Sequence, residues 1–459
     1  MFFDTSEKAI QLLDLRKYKI ELEIFNIINL IVVAFFIIIF LMQHVHAIVA
    51  IFTKKKKWDE AKIEHNFGVL ICGRNEENVI SKLIDSIFSS DYDKNKLHVF
   101  VCADNCTDNT AAVARKAGAI VYERFNNELV GKSYAMDFLI KKIMSNPSNN
   151  NIECFFVFDS DNLVSTNYFK EMNKVFDAGY EVSTSYRQSK NFDTNWISGC
   201  SSLTFFRECS IVHHSRQKLG LGTYVSGTGY FISRRIIESL NGWNFNTMTE
   251  DIEFSAWCAI NNIKISYNEN AIFYDEQPEK LKVANTQRLR WCKGTHQCCY
   301  KYHWALLKGI FRSKMKLTCF ELLVHVTPFP LLSVIWMIIY LIGLGIFNLV
   351  GIININDFLQ QFFNNCFSFF FGILVVSKIQ ALIATIKNNS NINASIFKKV
   401  LYIFLFPVYV SMYIYLSLKA LFVKVKWKPI PHVSTNVVTL KEINKLDKTR
   451  CKSINTEIK

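Results

Sequence analysis

At 459 residues, half of them hydrophobic and 39 of them phenylalanine, the chain is long enough for a sizeable core and more than one module. Its 53 Lys and Arg exceed its 39 Asp and Glu, giving a formal charge of +14, but the excess gathers beside apolar stretches, at Lys54-Lys55-Lys56-Lys57 and at Lys424, Lys426 and Lys428. Basic clusters so placed are attracted to anionic lipid, and with no RNA- or DNA-binding motif beside them they exclude a nucleic-acid partner.

Residues 1–23 mix charged and apolar positions in the manner of an amphipathic helix. Residues 24–53 predict a membrane helix, because positions 27–52 hold no Lys, Arg, Asp or Glu over more than the ~20 residues that cross a bilayer. The segment is too long for a signal peptide's apolar core and no small-residue cleavage pattern follows it. Under the positive-inside rule the lysine run faces the cytoplasm and places the next module, residues 54–310, inside the cell.

Phe67-Gly68-Val69-Leu70-Ile71-Cys72-Gly73 predicts a strand closed by Arg74-Asn75-Glu76-Glu77, and Ile80, Leu83, Ile84 and Ile87 recur behind it at helical spacing. The unit repeats. Residues 97–103 predict a second strand, ended by a polar cluster from Asp104 to Thr110 that can turn the chain and cap a helix over 111–116, stopped at Gly118. A third strand at 119–122 precedes a helix opened by Gly131-Lys132-Ser133. The fourth, Cys154-Phe155-Phe156-Val157-Phe158, is apolar throughout, as a strand buried on both faces is, and runs straight into Asp159-Ser160-Asp161-Asn162. Four strands alternating with three helices imply an α/β fold with a parallel, right-handed, Rossmann-like sheet. The lack of GxGxxG after the first strand argues against a dinucleotide fold.

Carboxylates stand at the ends of three of these strands: Glu76, Asp104, and Asp159 with Asp161. Ligands of open α/β sheets sit outside the carboxyl ends of the strands. There, acids accept from the hydroxyls and N–H groups of a ribose and a base, and a pair of hard oxygens suits a divalent ion that keeps the rest of its shell for phosphate and water. Surface turns use the same residue types, so one such group alone carries little. Lys132 is either a cation for a diphosphate on that edge or an ordinary solvated lysine at a helix start.

Residues 181–196 are polar and read as irregular, and 205–220 look helical; adjacent His213 and His214 face different sides of such a helix and make no metal pair. Ser226-Gly227-Thr228-Gly229 is a turn into a strand at 230–232 that lets backbone come close to a ligand. Thr249 reads as an N-cap, with Glu250, Asp251 and Glu253 in the first helical turn, where the dipole favours negative charge. Capping accounts for Glu250 or Glu253 without excluding a general base. Residues 264–267 and 271–274 predict a further strand or two. Gln287, Arg290 and Trp291 fall at i, i+3 and i+4 and share one helix face, where they can bind a diphosphate and stack on a sugar ring, or lie on a membrane surface. The 13 cysteines include no CxxC pair, which makes them reduced, buried small hydrophobes and assigns no structural metal to Cys292, Cys298 and Cys299.

Residues 311–423 hold three apolar segments able to span, at 331–353, 367–386 and 400–423, with Lys378 inside the second and Pro407 inside the third. A segment at 317–327, ahead of Pro328-Phe329-Pro330, predicts an interfacial amphipathic helix, and Lys378 is expected to snorkel. Three spans after a cytoplasmic module put the tail, residues 424–459, outside, although its basic start looks cytoplasmic; one segment is therefore expected to lie in the interface.

Taken in order, Asp104, Asp159-Ser160-Asp161, Thr249-Glu250-Asp251 and Gln287-Arg288-Leu289-Arg290-Trp291 resemble the D, DxD, TED and QxxRW signature of processive family 2 glycosyltransferases, the membrane-embedded synthases of cellulose, hyaluronan, chitin and poly-N-acetylglucosamine. The resemblance covers about residues 65–300. It implies a GT-A glycosyltransferase domain flanked by transmembrane helices, and an inverting enzyme that transfers a sugar from a UDP-sugar to a growing polysaccharide, a beta-linked hexose or N-acetylhexosamine polymer. Transfer to a lipid or lipid-linked acceptor, and a nucleotide-sugar sensor without catalysis, are the alternatives. On matching positions, Glu76 and Asp104 would hold the uridine, Asp159 the nucleotide, and Asp161, with Asp159, the Mg²⁺ or Mn²⁺ that bridges the diphosphate. Lys132 resembles the family's GKxxAL-type lysine, with Met136-Asp137 in place of Leu-Asn. Asp251, beside Glu250, would be the general base, Gln287, Arg290 and Trp291 would hold the diphosphate and acceptor end, and Gly227-Thr228-Gly229 resembles an acceptor-side turn. The implied partners are a UDP-sugar donor, a carbohydrate acceptor, membrane lipids and an accessory secretion subunit. The implied setting is a bacterial cell membrane, with which the skew toward Lys, Asn, Ile and Phe agrees.

Overall fold

The computed structural model describes residues 2–425, with side chains from Lys17 onward. Helix α1 (Phe2–Phe52) contains neither Gly nor Pro and so passes unbroken through position 23, where the sequence reading ended a separate N-terminal segment. The parallel part of the sheet follows as β1 (Phe67–Gly73), α2 (Ile80–Phe88), β2 (Leu97–Asp104), α3 (Thr110–Lys116), β3 (Ile120–Arg124), α4 (Lys132–Met144) and β4 (Cys154–Phe158). Strand order β3-β2-β1-β4 is parallel throughout, with Phe67 opposite both Leu97 and Cys154. All five β4 side chains are buried, as their unbroken apolar run requires. At the head of α3 it is Asp108 whose carboxylate accepts the Thr110 N–H at 3.0 Å, while the Asn109 side chain makes no cap bond.

Beyond β4 the sheet is no longer Rossmann-like. The chain adds β5 (Leu163–Val164), α5 (Tyr168–Asp177), β6 (Val182–Ser189), α6 (Trp196–Arg207), a π-helical turn at Glu208–His213, α7 (His214–Lys218), β7 (Tyr230–Ser233), α8 (Arg234–Leu240), α9 (Glu250–Ile260) and β8 (Ile265–Asp275). The eight strands run β3-β2-β1-β4-β7-β6-β8-β5, with β7 antiparallel to β4 and to β6. The parallel expectation therefore holds for four strands and gives way to a mixed sheet. Strand β6 falls where the sequence looked irregular: Val-Ser-Thr-Ser-Tyr-Arg-Gln-Ser is buried at all eight positions. Several of its polar groups find partners inside, as where Ser185 Oγ donates to the Gly229 carbonyl at 2.5 Å, so neither an apolar run nor an alternation marks the strand.

The chain ends its described course with α10 (Leu281–Arg312), α11 (Lys316–Val326), α12 (Phe329–Leu349), α13 (Ile355–Lys387) and α14 (Ile396–Phe422). Among the described residues four helices are long and apolar enough to cross a membrane: α1 from Lys17, α12, α13 and α14. Helix α11 buries Cys319, Leu322, Leu323 and Val326 in the cluster it shares with α9 and α10. Pro407 lies within α14 without ending it, and Lys378 sets its ammonium 4.5 Å from the Phe404 ring. The basic tail from residue 426 lies outside the described residues.

The sheet module and the long helices share one core. Ala47 and Ala50 of α1, Tyr186, Cys200, Phe206 and Tyr267 of the module, and Ala381, Ala384, Tyr402 and Phe406 of α13 and α14 belong to a single buried cluster. Gly199 makes this possible, since a Cβ there would lie 2.2 Å from the Tyr402 ring. Arg288 stacks 3.9 Å over Tyr409 and donates to its carbonyl at 2.6 Å, which pins α10 to α14. Helix α1 is tied down by Glu321, which pairs with His46 at 3.1 Å and with Arg216, and by Thr53, whose Oγ1 lies 2.7 Å from His214 Nε2. Removing one partner of a buried ion pair typically costs about 3–5 kcal/mol. Glu321→Gln is therefore expected to lower the thermal midpoint of the protein in detergent by several degrees; an unchanged midpoint would remove the clasp from the account.

Candidate active site

The loop after β4 is held by backbone and side chains together. The Asp159 N–H donates to Asn162 Oδ1 at 3.2 Å and to Thr228 Oγ1 at 3.0 Å, and the Thr228 hydroxyl donates in turn to Asn162. Asn162 Nδ2 donates to Asp275 Oδ1 at 2.9 Å, bringing the end of β8 beside the end of β4. Lys190 donates to the Asp161 carbonyl from behind. The turn expected at residues 226–229 is thus a brace for the acidic loop. Gly229 has φ +67°, and a Cβ there would lie 2.1 Å from Phe273. Gly229→Ala combines left-handed strain with overpacking and is expected to cost about 2–4 kcal/mol, read from denaturant unfolding of the purified protein.

Lys132 bonds to the Asp159 carboxylate and donates to the Gly227 carbonyl at 2.7 Å, so its ammonium is held against the acidic loop rather than solvated. Burial works against its charge, but Asp159 and Glu250 outweigh that and raise its pKa. On the first turn of α9, burial and then the Glu250 charge push the Asp251 carboxyl up to about 7. Burial likewise raises Glu250, with Lys132 opposing. Glu253 is spoken for, accepting the Thr247 N–H at 2.8 Å and pairing with Lys301. The expected Thr249 cap does not form: its hydroxyl lies 3.6 Å from Cys298 Sγ, in the contact between α9 and α10.

These groups open onto one cavity of about 1540 Å³. Glu76, Lys132, Asp159, Asp161, Glu250, Asp251, Gln287, Arg290 and Trp291 all line it, so the Gln-Arg-Trp face of α10 shares a cavity with the strand ends. Asp104 is not among the lining residues. It stands one strand further out, buried, with its carboxylate on Arg124 Nη1 at 2.6 Å and Asn105 Nδ2 at 3.2 Å. Burial raises its pKa and Arg124 opposes. Arg187 and Asp275 also line the cavity, and neither is among the residues that the sequence singles out. Arg187 sits on the strand that looked irregular, whereas Asp275 ends a predicted strand and was open to the same rule that picked out Asp159. Burial, and the Asp161 and Asp159 charges beyond the opposing Arg187, push Asp275 up to about 6.

Asp159 and Asp161 fit a divalent ion by their donor chemistry. They supply two hard oxygens at a position already attractive to the Lys132 ammonium, and Mg²⁺ or Mn²⁺ with a diphosphate needs only one or two protein carboxylates. Among the described residues no three His, Cys, Asp or Glu gather into an all-protein cage.

Residues 65–294, half of the chain, match the family described as glycosyltransferase like family 2. A probable glycosyltransferase of Bacillus subtilis, YdaM, is 25% identical over 58% of this chain and 63% of its own length. The beta-monoglucosyldiacylglycerol synthase of a Nostoc species is 24% identical over 62% of this chain and 61% of its own. The poly-beta-1,6-N-acetyl-D-glucosamine synthase of Staphylococcus aureus is 23% identical over 60% and 63%. The chain thus spans just under two thirds of the length of these curated relatives. Among solved structures, the mannosyltransferase PcManGT from Pyrobaculum calidifontis, in complex with GDP-Man and Mn²⁺, superposes with a TM-score of 0.50 at 15% identity, covering 85% of this chain and 97% of that one. That likeness speaks to the fold, and it agrees with the GT-A expectation. With half its length matched by the family and a mixed sheet of the same kind behind the matching residues, the chain belongs to glycosyltransferase family 2.

Proposed function

We propose that this protein is a membrane-bound inverting glycosyltransferase that moves a hexose or N-acetylhexosamine from a UDP-sugar to the growing end of a polysaccharide. The observation that carries the polymer reading is the course of the cavity. It continues from Asp251 between α1, α12, α13 and α14, where Asn29, Asn365, Ser368 and Ser411 line it together with rings such as Phe36 and Trp336. Amides and hydroxyls in membrane helices are costly unless they face a cavity, and aromatic faces are platforms for sugar rings.

In the reaction Asp251 takes the proton of the attacking acceptor hydroxyl, and its raised pKa suits a base working near neutrality. Arg290 and Lys132 line the cavity on the side of the acidic loop and stabilise the charge that gathers on the departing diphosphate. Mg²⁺ or Mn²⁺ bound by Asp159 and Asp161 would supply further neutralisation of that charge. Glu76, which lines the cavity, meets the nucleoside, while Asp104 is held by Arg124 on the neighbouring strand. One in-line displacement inverts the anomeric centre, and no carboxylate is needed as nucleophile. Lys54 to Lys57, just after α1, support a cytoplasmic side for the module and its donor under the positive-inside rule.

A lipid acceptor is the second reading. Val33, Ile37, Ile373 and Val410 line the same limb, and one relative is named a glucosyldiacylglycerol synthase. Purified protein in nanodiscs, given radiolabelled UDP-glucose or UDP-N-acetylglucosamine, separates the two. A ladder of water-soluble products supports the polymer, a single solvent-extractable product replaces it with the lipid, and no UDP release from any donor removes transfer altogether.

A further inference from the structure

Three side chains from three elements form a continuous stack on the cavity wall. The Arg187 guanidinium of β6 lies 4.1 Å from the centre of the Phe205 ring of α6. Phe205 in turn meets the Trp291 indole of α10 edge-on, with centroids 6.0 Å apart at 81°. All three line the cavity that holds Asp251, and Phe205 and Arg187 are each only 8% exposed.

The far end of the stack is fastened to the turn beside the base. Arg187 Nη2 donates to the Ser226 carbonyl and Lys132 Nζ to the next carbonyl, Gly227, so two cations grip successive peptide groups. A Cβ on Gly227 would lie 3.6 Å from Asp251 Oδ2, which places the gripped turn against the base. Arg187 Nη1 also stands 3.7 Å from Asp275 Oδ2, but charge balance there would need neither the contact with the Phe205 ring nor the bond to Ser226. Its Nε is buried and makes no hydrogen bond among the described residues, so the guanidinium is held by its face and one edge.

We propose that Arg187 and Phe205 are positioning residues for the acceptor: the guanidinium–phenyl–indole stack sets the angle at which Trp291 meets the terminal pyranose, and the Arg187 bond to Ser226 keeps that ring in register with Asp251. The inference rests on the transfer reading above. In productive transfer the acceptor oxygen bonds to C1 of the donor sugar, the bond from C1 to the diphosphate oxygen breaks with its electron pair leaving on UDP, and the proton goes to Asp251. With the acceptor out of register, water makes the same attack and yields free sugar and UDP. Misplacement by about 1 Å can cost 10²-fold in rate, so water gains on the acceptor while donor binding is untouched.

The test is the number of UDP molecules released per sugar transferred, measured on the full chain in nanodiscs with radiolabelled UDP-glucose or UDP-N-acetylglucosamine and with cellobiose or chitobiose added. Wild type should sit near one. Phe205→Leu and Arg187→Lys, which keep volume and charge respectively but break the stack, should raise the ratio at least threefold and the acceptor KM about tenfold, with the donor KM within twofold. Phe205→Tyr keeps the ring and should restore the wild-type ratio. If the ratio stays at one in both stack-breaking variants, or donor and acceptor KM rise together, the residues serve only the fold and the inference fails. If wild type itself releases no UDP, the transfer reading fails and the inference falls with it.

Discussion

Replacing Asp251 by asparagine is expected to lower sugar transfer by about 10²–10⁴-fold, the contribution of a positioned general base, while UDP still binds with its wild-type affinity. The side chain keeps its shape, so the loss reports chemistry. The wild-type rate should also depend on pH in a set direction. Burial and the Glu250 charge hold Asp251 protonated up to about pH 7, against the pull of Lys132 and Arg187, so activity rises with pH through that region and falls about tenfold per unit below it. Glu250→Gln removes one of the two causes and should move the acid limb to lower pH. Because the two carboxyls are neighbours and titrate together, the limb belongs to the pair, and the shift on substitution is the discriminating quantity. UDP release measured from pH 5.5 to 8.5 for the three proteins decides the matter. An acid limb that stays in place in Glu250→Gln, or transfer that survives in Asp251→Asn, takes Asp251 out of the base's role.

Asp161→Ala should lower transfer by about 10³-fold, equivalent to roughly 4 kcal/mol of lost charge stabilisation at the diphosphate. More specifically, Mn²⁺ should cease to tighten UDP binding in titration calorimetry, because only Asp159 would remain and Lys132 already bonds to it. A Mn²⁺ effect equal to wild type would place the ion elsewhere. Asn162 and Gln277 each donate to Asp275 at 2.9 Å, so the floor under the loop should survive the substitution and UDP alone should still bind.

The part of the molecule legible in the sequence is the part where one physical rule dominates. Residues 67–73 read as a strand and β1 runs over Phe67–Gly73, since a doubly buried parallel strand leaves an uninterrupted apolar run. The acids at the ends of β1 and β4 follow from where open sheets hold ligands, and Gln287, Arg290 and Trp291 follow from helical spacing; all of them line the cavity. Legibility stops where tertiary contacts replace pattern. Strand β6 is polar yet buried, so its alternation is invisible and Arg187 was lost with it. Asp104 looked equivalent to Glu76 because both end strands, but the sequence does not show that Arg124, twenty residues on, claims its carboxylate. Thr249 carried the letters of a cap, and the closeness of α10, where a Cβ on Gly294 would meet Thr249 at 2.5 Å, turns its hydroxyl to Cys298 instead. Each miss is a long-range contact overriding a local preference.

The cluster that joins Ala47 and Ala50 to Ala381, Ala384, Tyr402 and Phe406 also fixes a timetable. The first two leave the ribosome more than 300 residues before their partners, which at about 5–20 residues per second is a delay of roughly 17–72 s. During that interval the nascent sheet carries an open apolar flank that nothing yet synthesised can cover. A ribosome stalled near residue 310 would hold the whole of the matching family region and still lack the helices that seal it. The boundary of the family in sequence is therefore not a boundary of folding, and a fragment cut there would be born with an unsealed side.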